Sequence, residues 1–260
     1  MPFFPDMEAL SPLAIGFSLV ATRIVFLMIT MPLFGAAVVP RRITVAATVV
    51  FSFAMYMGLS EFPLPKLDGL SIIIAAAGEA SLGAAAGFSV RLVFAAVEGA
   101  GQLIGVPMGL GFAQAIDPLT RANTVVTSRF LGIIVAMIFL SMDAHIVVFR
   151  LISKSFVILP PGQVSLSPEV GITIVRRASM IFDSTVQLAA PVLLVLMGVM
   201  TALGLLARVA PKVNLFVLSF AISIGVGLIA LNAALPNMMA YIRVLVSRIE
   251  SITSEVIGAF

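Results

Sequence analysis

The sequence predicts an all-α integral membrane protein, a multi-helix chain built from long helical hairpins with a broken helix at its centre. Composition is the first observation. Hydrophobic residues make up 61% of 260 residues and charged residues only 10%, against roughly 45–50% and about 25% in soluble domains. Mean hydropathy is +1.19. A chain this apolar cannot cover itself with polar surface, which excludes a water-soluble globule, and it is too hydrophobic for disorder. The second observation is periodic. Apolar stretches close to the roughly 20 residues that cross a bilayer recur along the chain, separated by short basic or Pro-containing connections.

Residues 1–12 carry Asp6 and Glu8 but no Lys or Arg. A secretory signal begins with a basic region, so the first apolar stretch reads as a retained helix. Span one runs near Leu13 to Phe34, with Arg23 inside it. Pro40, Arg41 and Arg42 make a basic turn, and span two runs near Ile43 to Leu59. By the excess of cytoplasmic Lys and Arg that turn lies inside and the N-terminus outside. Every later loop also carries Lys or Arg, so the same rule orients nothing further. A polar connection, Ser60 to Leu70, contains Pro63, Pro65, Lys66 and Asp68. Ser71 to Ala115 is too long for one crossing. Span four runs near Phe130 to Val148, followed by a wetter segment, Arg150 to Arg177, with Pro160, Pro161 and Gly162. Span five runs near Ser179 to Leu206, the basic turn from Arg208 to Asn214 comes next, and span six runs near Leu215 to Leu235.

Residues 237–260 differ in kind. Ile242, Leu245, Ile249, Ile252 and Val256 recur at three-four spacing, the mark of an amphipathic helix. Such a helix lies on a membrane surface or docks on another protein; two Arg and two Glu make docking the better reading. No repeat of 20–50 residues is present, so residues 1–260 read as one domain.

Polar residues stand where they are expensive. On a helix at about 100° per residue, Arg91, Glu98 and Gln102 share a face with Gly87 and Gly105. A charge at the bilayer centre costs about 2.5–3.5 kcal/mol on insertion scales, so the expectation is a buried polar face. Two readings stand side by side: a hydrogen-bond network between packed helices, or the lining of a conduit. Gly83 with Gly87, Gly101 with Gly105, and Gly105 with Gly109 each fit the small-residue spacing that lets membrane helices approach closely. Next comes Gly105-Val106-Pro107-Met108-Gly109-Leu110-Gly111-Phe112, closed by Asp117 and Pro118. Pro107 removes a helix hydrogen bond, and the glycines loosen the backbone beyond it. Irregular backbone at membrane depth must be buried in protein or line a cavity. The segment is therefore an interfacial loop or a re-entrant loop that plugs a pore, with Met108, Leu110 and Phe112 as an adaptable apolar seal.

Several classes of chemistry are excluded. Without Cys there is no disulfide, thiol nucleophile or Cys-ligated metal, and one His, His145, excludes paired-His zinc sites. Asp183 and Gln187 stand one turn apart and could face one partner. No nucleophile elbow, metalloprotease motif, phosphate loop or dinucleotide fingerprint occurs. Neither an enzyme nor any cofactor is expected. The net charge of +3 comes with no basic, aromatic-interleaved patch, so nucleic acid is not a predicted partner.

Taken together, several motifs carry a resemblance. Met108-Gly-Leu-Gly-Phe112 followed by Asp117-Pro118, and Ser128-Arg129-Phe130-Leu131 followed by Phe139-Leu140 and His145, resemble the central motif of the flagellar biosynthetic FliR family. Ser155-Phe156 with Leu159-Pro160-Pro161-Gly162, and Ala207-Arg208-Val209-Ala210-Pro211 with Asn214 and Phe216, resemble its later hallmarks. The order runs from about residue 10 to 250. Arg208, Pro211 and Asn214 form the structural motif on this reading. Lys212 stands where the family usually has Gln, and Phe220-Ala221 where it often has Phe-Pro, which leaves the local turn and kink there open.

The resemblance implies a non-enzymatic subunit of the flagellar type III protein export gate, in the bacterial inner membrane at the flagellar basal body. It implies assembly with FliP-like and FliQ-like subunits, contact with an FlhB-like export protein, and passage of unfolded flagellar subunits through the channel. It also implies that Gly105 to Asp117 helps close the pore, and that much of the assembly sits above the bilayer plane among protein neighbours. The alternative is a stand-alone secondary transporter or solute channel using Arg91, Glu98 and Asp183. Transporters often show matching broken helices in two halves, and only one such segment occurs.

Overall fold

The computed structural model describes residues 7–35, 39–59, 69–111, 125–165, 167–209 and 215–260. Among the described residues the chain is all α-helical: α1 Met7–Thr30, α2 Pro32–Gly35, α3 Arg41–Gly58, α4 Gly69–Gly105, α5 Val126–Ser141, α6 Ala144–Ile158, α7 Pro168–Val209, α8 Leu215–Ser247 and α9 Ile249–Gly258. Among the described residues, four segments are helical, long and apolar enough to cross a membrane: Leu13–Thr30, Leu70–Gly105, Pro168–Val209 and Leu218–Gly258, with a fifth if α5 and α6 count as one broken span. The chain is an all-α integral membrane protein.

Several boundaries differ from the sequence expectation. Span two is helical, but α3 spends Arg41 and Arg42 on its first turn, leaving fewer apolar residues than the roughly 20 a crossing needs. The Ser71–Ala115 stretch continues one unbroken helix of 37 residues, α4, which begins at Gly69 and ends at Gly105. Span four breaks at Met142 and Asp143, where Asp143 adopts φ 53°. The Arg150–Arg177 segment, wet by composition, is helical to Ile158 and again from Pro168. Arg150 and Lys154 lie on the exposed side of α6 while Val148, Ile152, Ser155 and Phe156 are buried. The tail divides as well: α8 continues through Pro236 to Ser247, and only Ile249–Gly258 forms a separate amphipathic helix.

The contacts divide the chain into two compact units. The first comprises Met1–Leu92, Asp143–Arg177 and Arg248–Phe260. There α1 packs on α3 and α4. Phe17 meets Tyr56 edge-on at 5.8 Å, and the Tyr56 hydroxyl donates to the Leu13 carbonyl at 3.2 Å. Phe51 of α3 stacks on Phe149 of α6 at 4.4 Å. Helix α3 turns its hydroxyls inward: Thr48 and Ser52 are buried and donate to their own helix, while Val45, Val49, Phe53 and Met57 are exposed. That polarity suits an apolar surrounding.

Helix α9 packs on α6, burying Ile249, Ile252, Val256 and Ile257. The Ser167 hydroxyl donates to the Ala259 carbonyl at 2.9 Å, and Arg177 pairs with Glu255. The amphipathic face expected to seek a membrane or another protein is thus covered by this chain's own α6. Its apolar stripe is complementary to one side of a helix whose charged residues give it the composition of a loop.

The second unit comprises Val93–Met142 and Ala178–Ser247. Here the C-terminal part of α4 lies against α5. Thr127 Oγ1 donates to the Gly101 carbonyl at 2.6 Å and Ser128 Oγ to the Glu98 carbonyl at 2.8 Å. Both bonds need the backbones close together, and Gly101 permits it: a Cβ there would fall on the Ser128 Cα. Thr185 of α7 donates to the Ala96 carbonyl at 3.0 Å, and the Tyr241 hydroxyl of α8 to Gln187 at 2.6 Å. Gln187 therefore faces α8.

Candidate functional site

The central segment leaves α4 at Gly105. The Val106 amide still bonds the Gln102 carbonyl at 3.1 Å, so the helix unwinds over a turn rather than at a point. Pro107 supplies no amide, and Gly109 and Leu110 turn back on Val106 and Gly105 at 3.0 and 3.1 Å. Gly109 has φ +79°, a left-handed conformation that side chains other than glycine's resist.

The segment is rooted on α8. Met108 is fully buried, and a Cβ on Gly227 would come within 2.6–2.9 Å of its side chain. A Cβ on Gly109 would strike the Phe220 ring at 2.5 Å. Met108 therefore fills a notch that Gly227 leaves, and Phe220 occupies the space above Gly109. Of the expected apolar seal, Met108 is an anchor inside this chain and not a free tip. Leu110 and Gly111 are half-buried, and Phe112 and Asp117 lie outside the described residues. Gly227 does not stand out as a site residue in the sequence, where the Gly225-Val226-Gly227 spacing inside an apolar helix is its local signal; Phe220 is marked only by the Ala221 that follows it.

The polar residues of α4 lie on its outward side in this chain. Arg91, Glu98 and Gln102 are exposed on this chain. The glycines take the contacts: Gly87 faces Leu27 and Thr30, and Gly105 faces Val125 and Thr127. Glu98 lies over Gly132 of α5, where an added Cβ would stand 3.2 Å from its Oε1. Arg208 is exposed near the end of α7, while Pro211 and Asn214 lie outside the described residues. Asp183 is exposed, one turn before Gln187 on α7.

Among the described residues the buried charges are a different pair. Arg23 and Glu79 both have fully buried side chains and form an ion pair at 2.5 Å. Arg23 uses its whole fork: Nε donates to Glu79, Nη1 to Ser155 Oγ at 2.9 Å and Nη2 to the Leu159 carbonyl at 3.0 Å. The second oxygen of Glu79 accepts the Gly162 amide at 2.8 Å. The Phe156 ring centroid lies 4.1 Å from the guanidinium carbon, a cation–π distance. In the sequence each residue is an isolated charge within an apolar stretch. Their partnership bridges 56 positions, beyond any helical period.

These features coincide with a family match. The model of the bacterial export proteins, family 1, matches residues 14–249. The flagellar biosynthetic protein FliR of Pectobacterium carotovorum subsp. carotovorum is 31% identical over 237 residues, covering 90% of each chain. That of Escherichia coli K12 is 29% identical, covering 91% of this chain and 90% of its own. That of Bacillus subtilis 168 is 29% identical over 254 residues, covering 96% and 95%. The match takes in α3 to α8 and most of α1, so the loop root and the buried pair both lie inside it. The chain belongs to the bacterial export proteins, family 1, the family of these FliR relatives.

Proposed function

We propose that this protein is a non-enzymatic subunit of the flagellar type III export gate in the bacterial inner membrane, at the flagellar basal body. It works in a mixed complex with FliP-like and FliQ-like subunits, adjoins an FlhB-like export protein, and forms part of the path for unfolded flagellar subunits. The observation that carries this reading is the family match over residues 14–249, with FliR relatives covered over about nine-tenths of their length. The exposed Arg91, Glu98 and Gln102 agree with it, because lipid penalises such groups and a protein neighbour or wet channel does not.

Within that assembly, Gly105–Asp117 helps close the pore. Met108 and Gly109 root the loop on Gly227 and Phe220, so a closing element would hang from a fixed base. Native mass spectrometry after co-expression with FliP-like and FliQ-like proteins tests the assembly. A stable mixed complex is expected; a monomer or homo-oligomer that ignores them would overturn it, and solute uptake by the lone protein would then favour a transporter. Deleting residues 110–117 should raise the ion permeability of the assembled gate. Unchanged permeability would remove the plug role.

A further inference from the structure

Helix α1 meets α4 along a surface with little steric individuality. The contact runs past Gly83, whose added Cβ would fall on the Arg23 carbonyl, and Gly87, which faces Leu27 and Thr30. Between them stand only Ala84, Ala85 and Ala86. The two glycines are four residues apart on one face, so a slide of one helical turn would put one of them in the other's place and keep part of the small-residue fit. Packing alone therefore separates the two registers only in part.

The polar pair does discriminate. Only one register brings Arg23 onto Glu79, and the same position hands Nη1 to Ser155 of α6 and Nη2 to Leu159. The returning segment is then held twice on α4. The Gly162 amide donates to Glu79, and Val164 settles on Gly78, where a Cβ would come 2.6 Å from the Val164 carbonyl. Burying two charges gains little net stability over an apolar pair of similar volume. What they supply is a geometry that tolerates no slide. We propose that the Arg23–Glu79 pair is a seating device: it selects the register of α1 on α4 and holds the 159–164 turn against both, through Leu159 on Arg23 and Gly162 on Glu79.

The chain contains no Cys, so a single reporter is clean. Val164 is 7% exposed, and Val164→Cys in the full chain should react slowly with a water-soluble maleimide. Two variants probe the device. Arg23→Lys keeps the charge but loses the fork. Arg23→Met combined with Glu79→Met replaces the pair by apolar side chains of similar size. Both should remain helical and monodisperse, with labelling of the reporter at least about tenfold faster, because local opening no longer has to break the anchoring bonds. Labelling unchanged in both folded variants overturns the proposal. So does fast labelling of Val164→Cys with the pair intact. Failure of both variants to fold would also overturn it, by making the pair a requirement of the fold itself.

Discussion

Replacing Gly101 by Ala adds one methyl where two helices touch through their backbones. The new Cβ would lie 2.7 Å from the Ser128 amide nitrogen, 2.7 Å from the Thr127 carbonyl oxygen, and on the Ser128 Cα. All three are backbone atoms, so no rotamer change relieves them, and α5 must retreat by roughly 1 Å. That movement stretches the Thr127–Gly101 and Ser128–Glu98 hydrogen bonds, now 2.6 and 2.8 Å, beyond the bonding range. Two interhelical bonds at about 0.6 kcal/mol each and an overpacking cost of about 1–3 kcal/mol oppose a helix-propensity gain of up to about 1 kcal/mol. The net is a loss of about 1–4 kcal/mol. Gly198→Ala is the control. It sits mid-helix in α7 with nothing within 4 Å of the added atom, so only the propensity gain remains. Unfolding of both variants in mixed detergent, followed by far-UV circular dichroism, gives the two values. If Gly101→Ala shifts stability in the same direction as Gly198→Ala, the close α4–α5 contact is refuted.

Gly109→Ala should destabilise by more than about 1 kcal/mol, since φ +79° and the Phe220 ring both oppose a side chain; on the plug reading it also raises ion leak, read as conductance of the assembled gate. Asp143→Gly should raise the thermal midpoint, because Asp143 holds φ 53° at the α5–α6 break, whereas Asp143→Val should lower it. Glu255→Gln should cost less than about 1 kcal/mol, with the difference shrinking at high salt. The Arg177–Glu255 pair is part-exposed, at 22% and 40%, where solvent screens it.

Legibility in the sequence depended on whether the signal was local. The small-residue spacing on α4 is readable, and Gly83, Gly87, Gly101 and Gly105 do take the helix contacts. Pro107 and its glycines announce the end of α4, but not that Met108 is held by Gly227, more than a hundred residues away. Arg150 and Lys154 make α6 look like loop because composition outweighs period; Val148, Ile152 and Phe156 keep the helical spacing throughout. The break at Asp143 has no Gly or Pro to mark it, only an Asp, which tolerates left-handed backbone better than most residues. The tail's apolar stripe is plain in the sequence, yet a stripe does not name what covers it. The same limit hides Arg23 and Glu79. Each charge predicts that a partner exists, and neither says which.

The buried pair has a consequence in time. The chain grows from its N-terminus, and Arg23 is made 56 positions before Glu79 and 132 before Ser155. At about 5–20 residues per second, roughly 3–11 s pass before the carboxylate exists at all. During that interval α1 carries a bare guanidinium, and its final resting place has not yet been synthesised. Helix α1 therefore takes its seat late, only after α4 and then α6 have been made.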